Sequence, residues 1–277
     1  MTTAAVHPRA GLKTLVMGVL NITPDSFSDG GMLSKPEAAE AHARECVRDG
    51  ADILDVGGES TRPGAIPVSP EIEQTRVIPV IDRIAPLGVP ISIDTYHAST
   101  ARAALAHGAT MVNDISALRG DPGMADAVAD AGCSVVLMHM LGTPRTMQDN
   151  PRYDDVVDSV CAFFEERLTF ATKRGIAEEA IWLDPGFGFG KTREHNLTLL
   201  RRLGELKRFG RPILIGTSNK SMIGAVLNVP VHERMEGTAA TVAIGIANGA
   251  DAVRVHDVKR MARVARMSDA ILGRGES

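Results

Sequence analysis

Eight short apolar runs recur along the chain, and each stops on polar, glycine or proline residues before a helical pattern begins. Runs this short and this continuously apolar fit parallel strands buried on both faces. They cover residues 14–20, 52–56, 90–94, 111–114, 134–139, 181–184, 212–216 and 251–256. Helical patterns follow at 36–49, with Ser34 as candidate N-cap and Gly50 at the end, then at about 70–85, 99–107, 123–131, 154–174, 196–209, 235–248 and 258–273. Eight strands alternating with eight helices predict an α/β architecture, the (β/α)8 TIM barrel, which typically takes about 250 residues. A doubly wound open sheet is the alternative, and the count of eight speaks against it. Residues 1–13 read as a flexible leader without a signal peptide's apolar core, and 14–277 as a single domain.

The barrel reading matters for chemistry because the C-terminal strand ends converge on one mouth, where active sites lie. The tips here carry Asn21, Asp55, Asp94, Asn113 with Asp114, His139, Asp184, Ser218 with Lys220, and Arg254 with His256. A lone polar tip is commonly a cap or a turn residue. Eight of them at one mouth point to an enzyme.

The sixth run shows the pattern most sharply. Ile181, Trp182 and Leu183 deliver Asp184, and Pro185 stops the strand; Gly186, Gly188 and Gly190 then alternate with Phe187 and Phe189 before Lys191. A carboxylate beside bare backbone and aromatic faces can accept paired N–H groups from a flat, nitrogen-rich ring. Its structural alternative is an Asp that caps the turn. Asp94, Asn113 and Asp184 as acceptors, with Lys220 as donor, suit the mixed edge of a fused heterocycle. Arg254, His256, Asn21 and Ser218 suit an anion. Long glycine-rich loops follow the first two strands, and such loops can close over a reacting group.

Other chemistries lack their signatures. No His-x-x-x-His supplies zinc, no Gly-x-Ser-x-Gly a serine nucleophile, and no Gly-x-Gly-x-x-Gly a dinucleotide fold. Paired carboxylates such as Asp55 and Asp94 remain open for glycoside cleavage, although one Trp and two Tyr offer few sugar platforms. The net charge of −4, without a cationic block, gives no sign of a nucleic-acid or membrane partner. No apolar run approaches the roughly 20 residues of a membrane helix. Cys46, Cys133 and Cys161, odd in number and without Cys-x-x-Cys spacing, read as buried free thiols of a reducing cytoplasm.

The stretches 17–31, 55–64, 138–140, 184–191 and 254–257 together resemble dihydropteroate synthase. The resemblance runs from about residue 14 to the end. It implies condensation of 6-hydroxymethyl-7,8-dihydropterin diphosphate with 4-aminobenzoate in folate biosynthesis, with Mg2+ on the diphosphate, a cytoplasmic homodimer and sensitivity to sulfonamides. It implies that Asp94, Asn113, Asp184, Lys220 and Arg254 hold the pterin. Asn21 would meet the metal-bound diphosphate, and Lys220, Arg254, His256 and Asp29 would serve catalysis. Phe27, Thr61, Arg62, Pro63, Phe189 and Ser221 would build the aminobenzoate pocket. The family pattern after the seventh strand is Ser-Arg-Lys-Ser, whereas this chain has Ser218-Asn219-Lys220-Ser221. If strand alternation continued through 218–220, Asn219 would face away from Lys220; a tight turn at Ser218 would instead bring it toward the aminobenzoate pocket. Two rivals share the barrel: a pterin-binding methyltransferase domain, whose usual corrinoid module has no room in 277 residues, and a non-catalytic pterin-binding paralogue.

Overall fold

The computed structural model of the chain describes residues 13–23, 35–60 and 64–275. Eight strands form one parallel sheet: β1 (Leu15–Asn21), β2 (Ile53–Gly57), β3 (Ile91–Asp94), β4 (Met111–Asp114), β5 (Ser134–Met138), β6 (Ile181–Asp184), β7 (Leu214–Ile215) and β8 (Ala252–Val255). The order β6-β5-β4-β3-β2-β1-β8-β7 closes on itself through a parallel bridge from Leu183 to Ile213 and a 2.9 Å bond from the Leu183 N–H to the Pro212 carbonyl. All eight predicted strands are present, each within a residue or two of its expected ends. The open-sheet alternative falls with this closure.

Among the described residues nine α-helices, not eight, surround the sheet: α1 (Pro36–Asp49), α2 (Pro70–Ile84), α3 (Ala98–Ala106), α4 (Met124–Ala131), α5 (Val156–Lys173), α6 (Arg193–Arg201), α7 (Ser221–Leu227), α8 (Met235–Ala247) and α9 (Val258–Ile271). The unexpected one is α7, a seven-residue helix that contains Gly224 and is closed by Asn228 at φ 56°. The pattern expected at 196–209 divides into α6 and a 3-10 segment over Leu203–Phe209. Lys35, rather than Ser34, is the N-cap of α1 and makes no side-chain bond; Ser34 lies outside the described residues. At α2, α5, α6 and α9 the cap follows the rule that an oxygen side chain satisfies first-turn N–H groups. Asp155 accepts from Val157 and Asp158, and Thr192 forms a capping box with His195. All three cysteines are buried and free.

Strand side chains alternate with period two, so each strand contributes one set of residues to the barrel interior and another to the helices. Met17, Ile53, Met111, Val136, Trp182, Leu214 and Ala252 form a separate apolar layer inside the barrel. Val16, Leu20, Leu54, Val56, Ile93 and Val112 belong instead to the cluster shared with the helices. The interior is thus a packed plug, with Trp182 its largest buried side chain. Truncating such a residue to Ala typically costs about 3–5 kcal/mol.

Candidate active site

Two residues beyond the plug, the same inward face turns polar. Ile53 is followed by Asp55, Met111 by Asn113, Trp182 by Asp184 and Ala252 by Arg254. The register sets Asn113 beside Asp94 across β3 and β4. Arg254 lies at the centre: its Nε donates to Asp55 Oδ2 at 2.6 Å and its Nη2 to Asp94 Oδ2 at 2.8 Å. Asn113 Nδ2 donates to the same Asp55 oxygen at 3.2 Å. The other Asp55 oxygen is buried with no hydrogen-bond partner among the described residues. Asp55 is therefore the hub that orients Arg254 and Asn113, a role its tip position alone did not reveal.

Burial, opposed by the Arg254 charge and reinforced by Asp55, Glu73 and Asp114, raises Asp94 to about 7. Burial also raises Asp184, against the Gly186 N–H and the Lys220 charge. For Arg254 burial works toward neutrality, but Asp55 and Asp94 outweigh it and keep its pKa above the ordinary value. A permanent cation between two buried acids suits a ligand that arrives with both N–H donors and anionic oxygens.

Asp184 ends β6 with its Oδ1 accepting the Gly186 N–H at 2.7 Å, so the turn-capping reading holds for one of its two oxygens. Gly186, Gly188 and Gly190 all take positive φ, at 69°, 82° and 66°. At Gly186 a side chain would run into the His139 carbonyl oxygen, and at Gly190 a Cβ would lie 2.6 Å from Leu141 Cβ. Only glycine permits this path. Phe189 emerges from it with its ring 4.4 Å from Lys220 Nζ, a cation–π distance. Across the mouth, Ser218 Oγ pairs with His256 Nδ1 at 3.0 Å and accepts the His256 N–H at 3.3 Å.

The tips divide into two groups. Asp94, Asn113, Asp184 and Arg254 are brought together at the mouth, with Lys220, Phe189, Ser218 and His256 on its rim and exposed Ser221 opening α7. Asn21 ends β1 beside them: a Cβ at Gly57 would lie 3.8 Å from Asn21 Oδ1 and 3.6 Å from Asp94 Oδ2. Asp114 does not join them; it accepts from the Ser116 N–H, the Ser116 hydroxyl and the Leu118 N–H, and shapes the turn after β4. Neither does His139, which is buried against Lys191 at 2.9 Å and held down to about 2 by burial and the Lys191 charge. Phe27, Asp29, Thr61, Arg62 and Pro63 lie outside the described residues.

Asn219 departs from the expected alternation. The strand stops at Ile215, the Lys220 N–H closes a turn on the Thr217 carbonyl at 3.2 Å, and Asn219 adopts φ 58°. Its N–H donates to Thr238 Oγ1 and its carbonyl accepts from Arg234 Nη1 at 2.8 Å, both on or beside α8.

A clamp at the base of the second loop was not visible in the spacing. Tyr96 donates to Glu59 at 2.6 Å, Arg76 to the Gly58 carbonyl at 2.6 Å, and buried Glu73 pairs with Thr95 and His97. Glu59, Glu73 and His97 bring three metal-capable atoms within 4.8 Å of one another, but the Glu73–His97 pair and the Tyr96 bond to Glu59 read as a clamp.

Comparison with known proteins agrees with this geometry. The profile of the pterin binding enzyme family matches residues 17–256. A dihydropteroate synthase of Bacillus subtilis is 49% identical over 264 residues, covering 95% of this chain and 90% of that protein. One of Escherichia coli is 48% identical over 263 residues, covering 95% and 93%. The crystal structure of a Yersinia pestis dihydropteroate synthase in a sulfonamide drug complex superposes with a TM-score of 0.92 at 43% identity, covering 94% of this chain and 95% of that one. A Xanthomonas albilineans dihydropteroate synthase in complex with 7,8-dihydropteroate gives 0.84 at 42% identity, covering 94% of each chain. The chain belongs to the pterin-binding enzymes, as a member of the dihydropteroate synthase family.

Proposed function

We propose that this chain condenses 6-hydroxymethyl-7,8-dihydropterin diphosphate with 4-aminobenzoate, giving 7,8-dihydropteroate and pyrophosphate for folate biosynthesis. The observation that carries the reading is the acid–amide–guanidinium network of Asp55, Asp94, Asn113 and Arg254 at the barrel mouth, with Asp184 beside it. In this reading Asp94, Asn113 and Asp184 meet the ring's hydrogen-bonding edge, with Lys220 and Arg254 as donors. Arg254 and His256 face the diphosphate. Phe27, Asp29, Thr61, Arg62 and Pro63 of the two loops, with Phe189 and Ser221, enclose the aminobenzoate.

The amine nitrogen bonds to the exocyclic methylene carbon as the carbon–oxygen bond to the diphosphate breaks. Pyrophosphate leaves with that bond's electron pair, and the amine gives up one proton to solvent. The dihydropterin's own electrons support the developing positive charge, so the protein's tasks are alignment and stabilisation of the departing anion. Asn21 would hold Mg2+, since Mg2+ accepts a hard oxygen donor together with substrate phosphates. The Asn21 amide oxygen and Asp94 carboxylate flank the same bare stretch at Gly57, which fits such an ion. When bound, the ion would neutralise charge on the departing pyrophosphate.

No helix of the described residues is long and apolar enough to cross a membrane, in keeping with work in the cytoplasm. The exposed apolar residues Val226, Leu227 and Ile244 on α7 and α8 support assembly as a homodimer. Pyrophosphate release from both substrates, with sulfonamides competing against aminobenzoate, tests the proposal. Release without aminobenzoate at an unchanged rate would leave the chain a hydrolase, and no release with both substrates present would leave it a pterin binder.

A further inference from the structure

We infer that Lys191 is a positioning residue of this site, a buried amine tie that sets the Gly-rich loop carrying Phe189 against the end of β5. The inference rests on the proposed pterin reading for its functional consequence, but not for its geometry. The loop 185–190 turns through three positive-φ glycines, and two of its carbonyls, Gly186 and Phe189, point inward to one place. His139 presents its Nδ1 to the same place from the end of β5. Lys191 fills it: Nζ lies 2.9 Å from His139 Nδ1, 3.0 Å from the Gly186 carbonyl and 3.1 Å from the Phe189 carbonyl. In the protonated amine three N–H donors meet three acceptors, with a longer contact of 3.4 Å to the His139 carbonyl; burial, opposed by the Asp184 charge, lowers the Lys191 pKa to about 7. Lys191 is only 4% exposed, so bulk solvent does not reach it.

Two groups of the site depend on this tie. The Gly186 N–H that fixes Asp184 Oδ1 belongs to the tied loop, and so does the Phe189 ring beside Lys220. With Lys191 protonated, His139 Nδ1 must accept, and the ring proton belongs on Nε2. The imidazole at this strand tip is a fixed acceptor, not an acid or a base of the reaction.

Lys191→Met keeps the stem and removes the donors. Calorimetry with 6-hydroxymethyl-7,8-dihydropterin diphosphate should show affinity falling about tenfold or more, since buried acceptors lose their partner. In steady-state kinetics both KM values should rise more than kcat falls. Nitrogen NMR should find His139 as the Nε2–H tautomer in the wild type and released from that preference in the variant. Unchanged KM values in a folded Lys191→Met protein, or an Nδ1–H tautomer in the wild type, overturns the inference. A second pair covers a variant that does not fold. His139→Asn keeps an acceptor near the Nδ1 position and should hold its KM values, whereas His139→Leu should raise them; equal behaviour of the two overturns the inference. A wild-type protein that binds no pterin would sink the proposed function, and the tautomer would still decide the tie.

Discussion

Asp94 must be ionised to accept ring N–H groups, yet burial raises it to about 7 despite its bond to Arg254. In the free protein it therefore takes up a proton as the pH falls below about 7, and the acceptor becomes a donor. Affinity for the pterin substrate should weaken on going from about pH 8 to about pH 5.5, approaching a tenfold loss per pH unit. Asp94→Asn should bind more weakly and flatten that profile; a steep profile retained in the variant would move the titration to another group. For stability the sign is opposite to that of an ordinary ion-paired carboxylate. The folded pKa lies above the unfolded one, so the folded state binds more protons between about pH 4 and about pH 7, and this carboxyl's contribution to stability falls as pH rises through that window. Asn219 makes a different demand. At φ 58° Asn is among the few non-glycine residues that fit well, and Arg there costs about 1 kcal/mol more. Asn219→Arg should lower Tm by about 2–4 °C. It should leave kcat/KM within about fivefold, because α8 holds both backbone groups of 219. A raised Tm, or a large fall in aminobenzoate KM, would show a side chain built to face the site. At this scale the sequence disclosed which residues stand at strand tips, because tip position follows from where apolar runs stop. It did not disclose what each tip touches: Asp114 and His139 sit at tips like the others but serve turns and packing, while Asp55 acts through the long reach of Arg254.

Elements were legible wherever hydrophobic period and length agreed. The strands were, since each apolar run is bounded by breakers, and so were helices such as α1 and α5. The short pieces were not: α7 contains Gly224 and spans seven residues, too little for a periodic signal, and β7 keeps only two of the residues in its apolar run. How elements press together was equally hidden. At Gly58 a Cβ would meet Val77 Cγ1 at 2.8 Å and the Glu73 carbonyl at 3.1 Å, so the end of β2 lies directly on α2. The Arg76 bond to the Gly58 carbonyl holds it there. Gly58→Ala should therefore destabilise the protein by about 1–3 kcal/mol, the usual range for overpacking. It should also raise the aminobenzoate KM through the loop that begins at the next residues. Thermal unfolding checks the first effect; a Tm equal to wild type would show that α2 yields without cost.

Closure of the barrel is uneven, and the site straddles its thinnest part. β1 and β2 pair over five positions, whereas β6 and β7 meet at one bridge, Leu183 to Ile213, which includes the bond from the Leu183 N–H to the Pro212 carbonyl. Local opening in a folded protein concentrates where few backbone bonds must break. The groups proposed for the pterin lie on both sides of this seam: Asp184 ends β6, and Lys220 follows β7. A ligand held by both would close the seam with contacts the free protein lacks, and a ligand at about 100 times its Kd adds about 2.7 kcal/mol of stability. Hydrogen exchange should find the Leu183 amide less protected than the β2 amides in the free protein. Pterin diphosphate should slow exchange at Leu183 more than at β2, whose paired amides have less to gain. Equal protection of the two regions in the free protein, or a ligand effect spread evenly over all eight strands, would mean that the barrel closes as one rigid unit and that binding does not act through the seam.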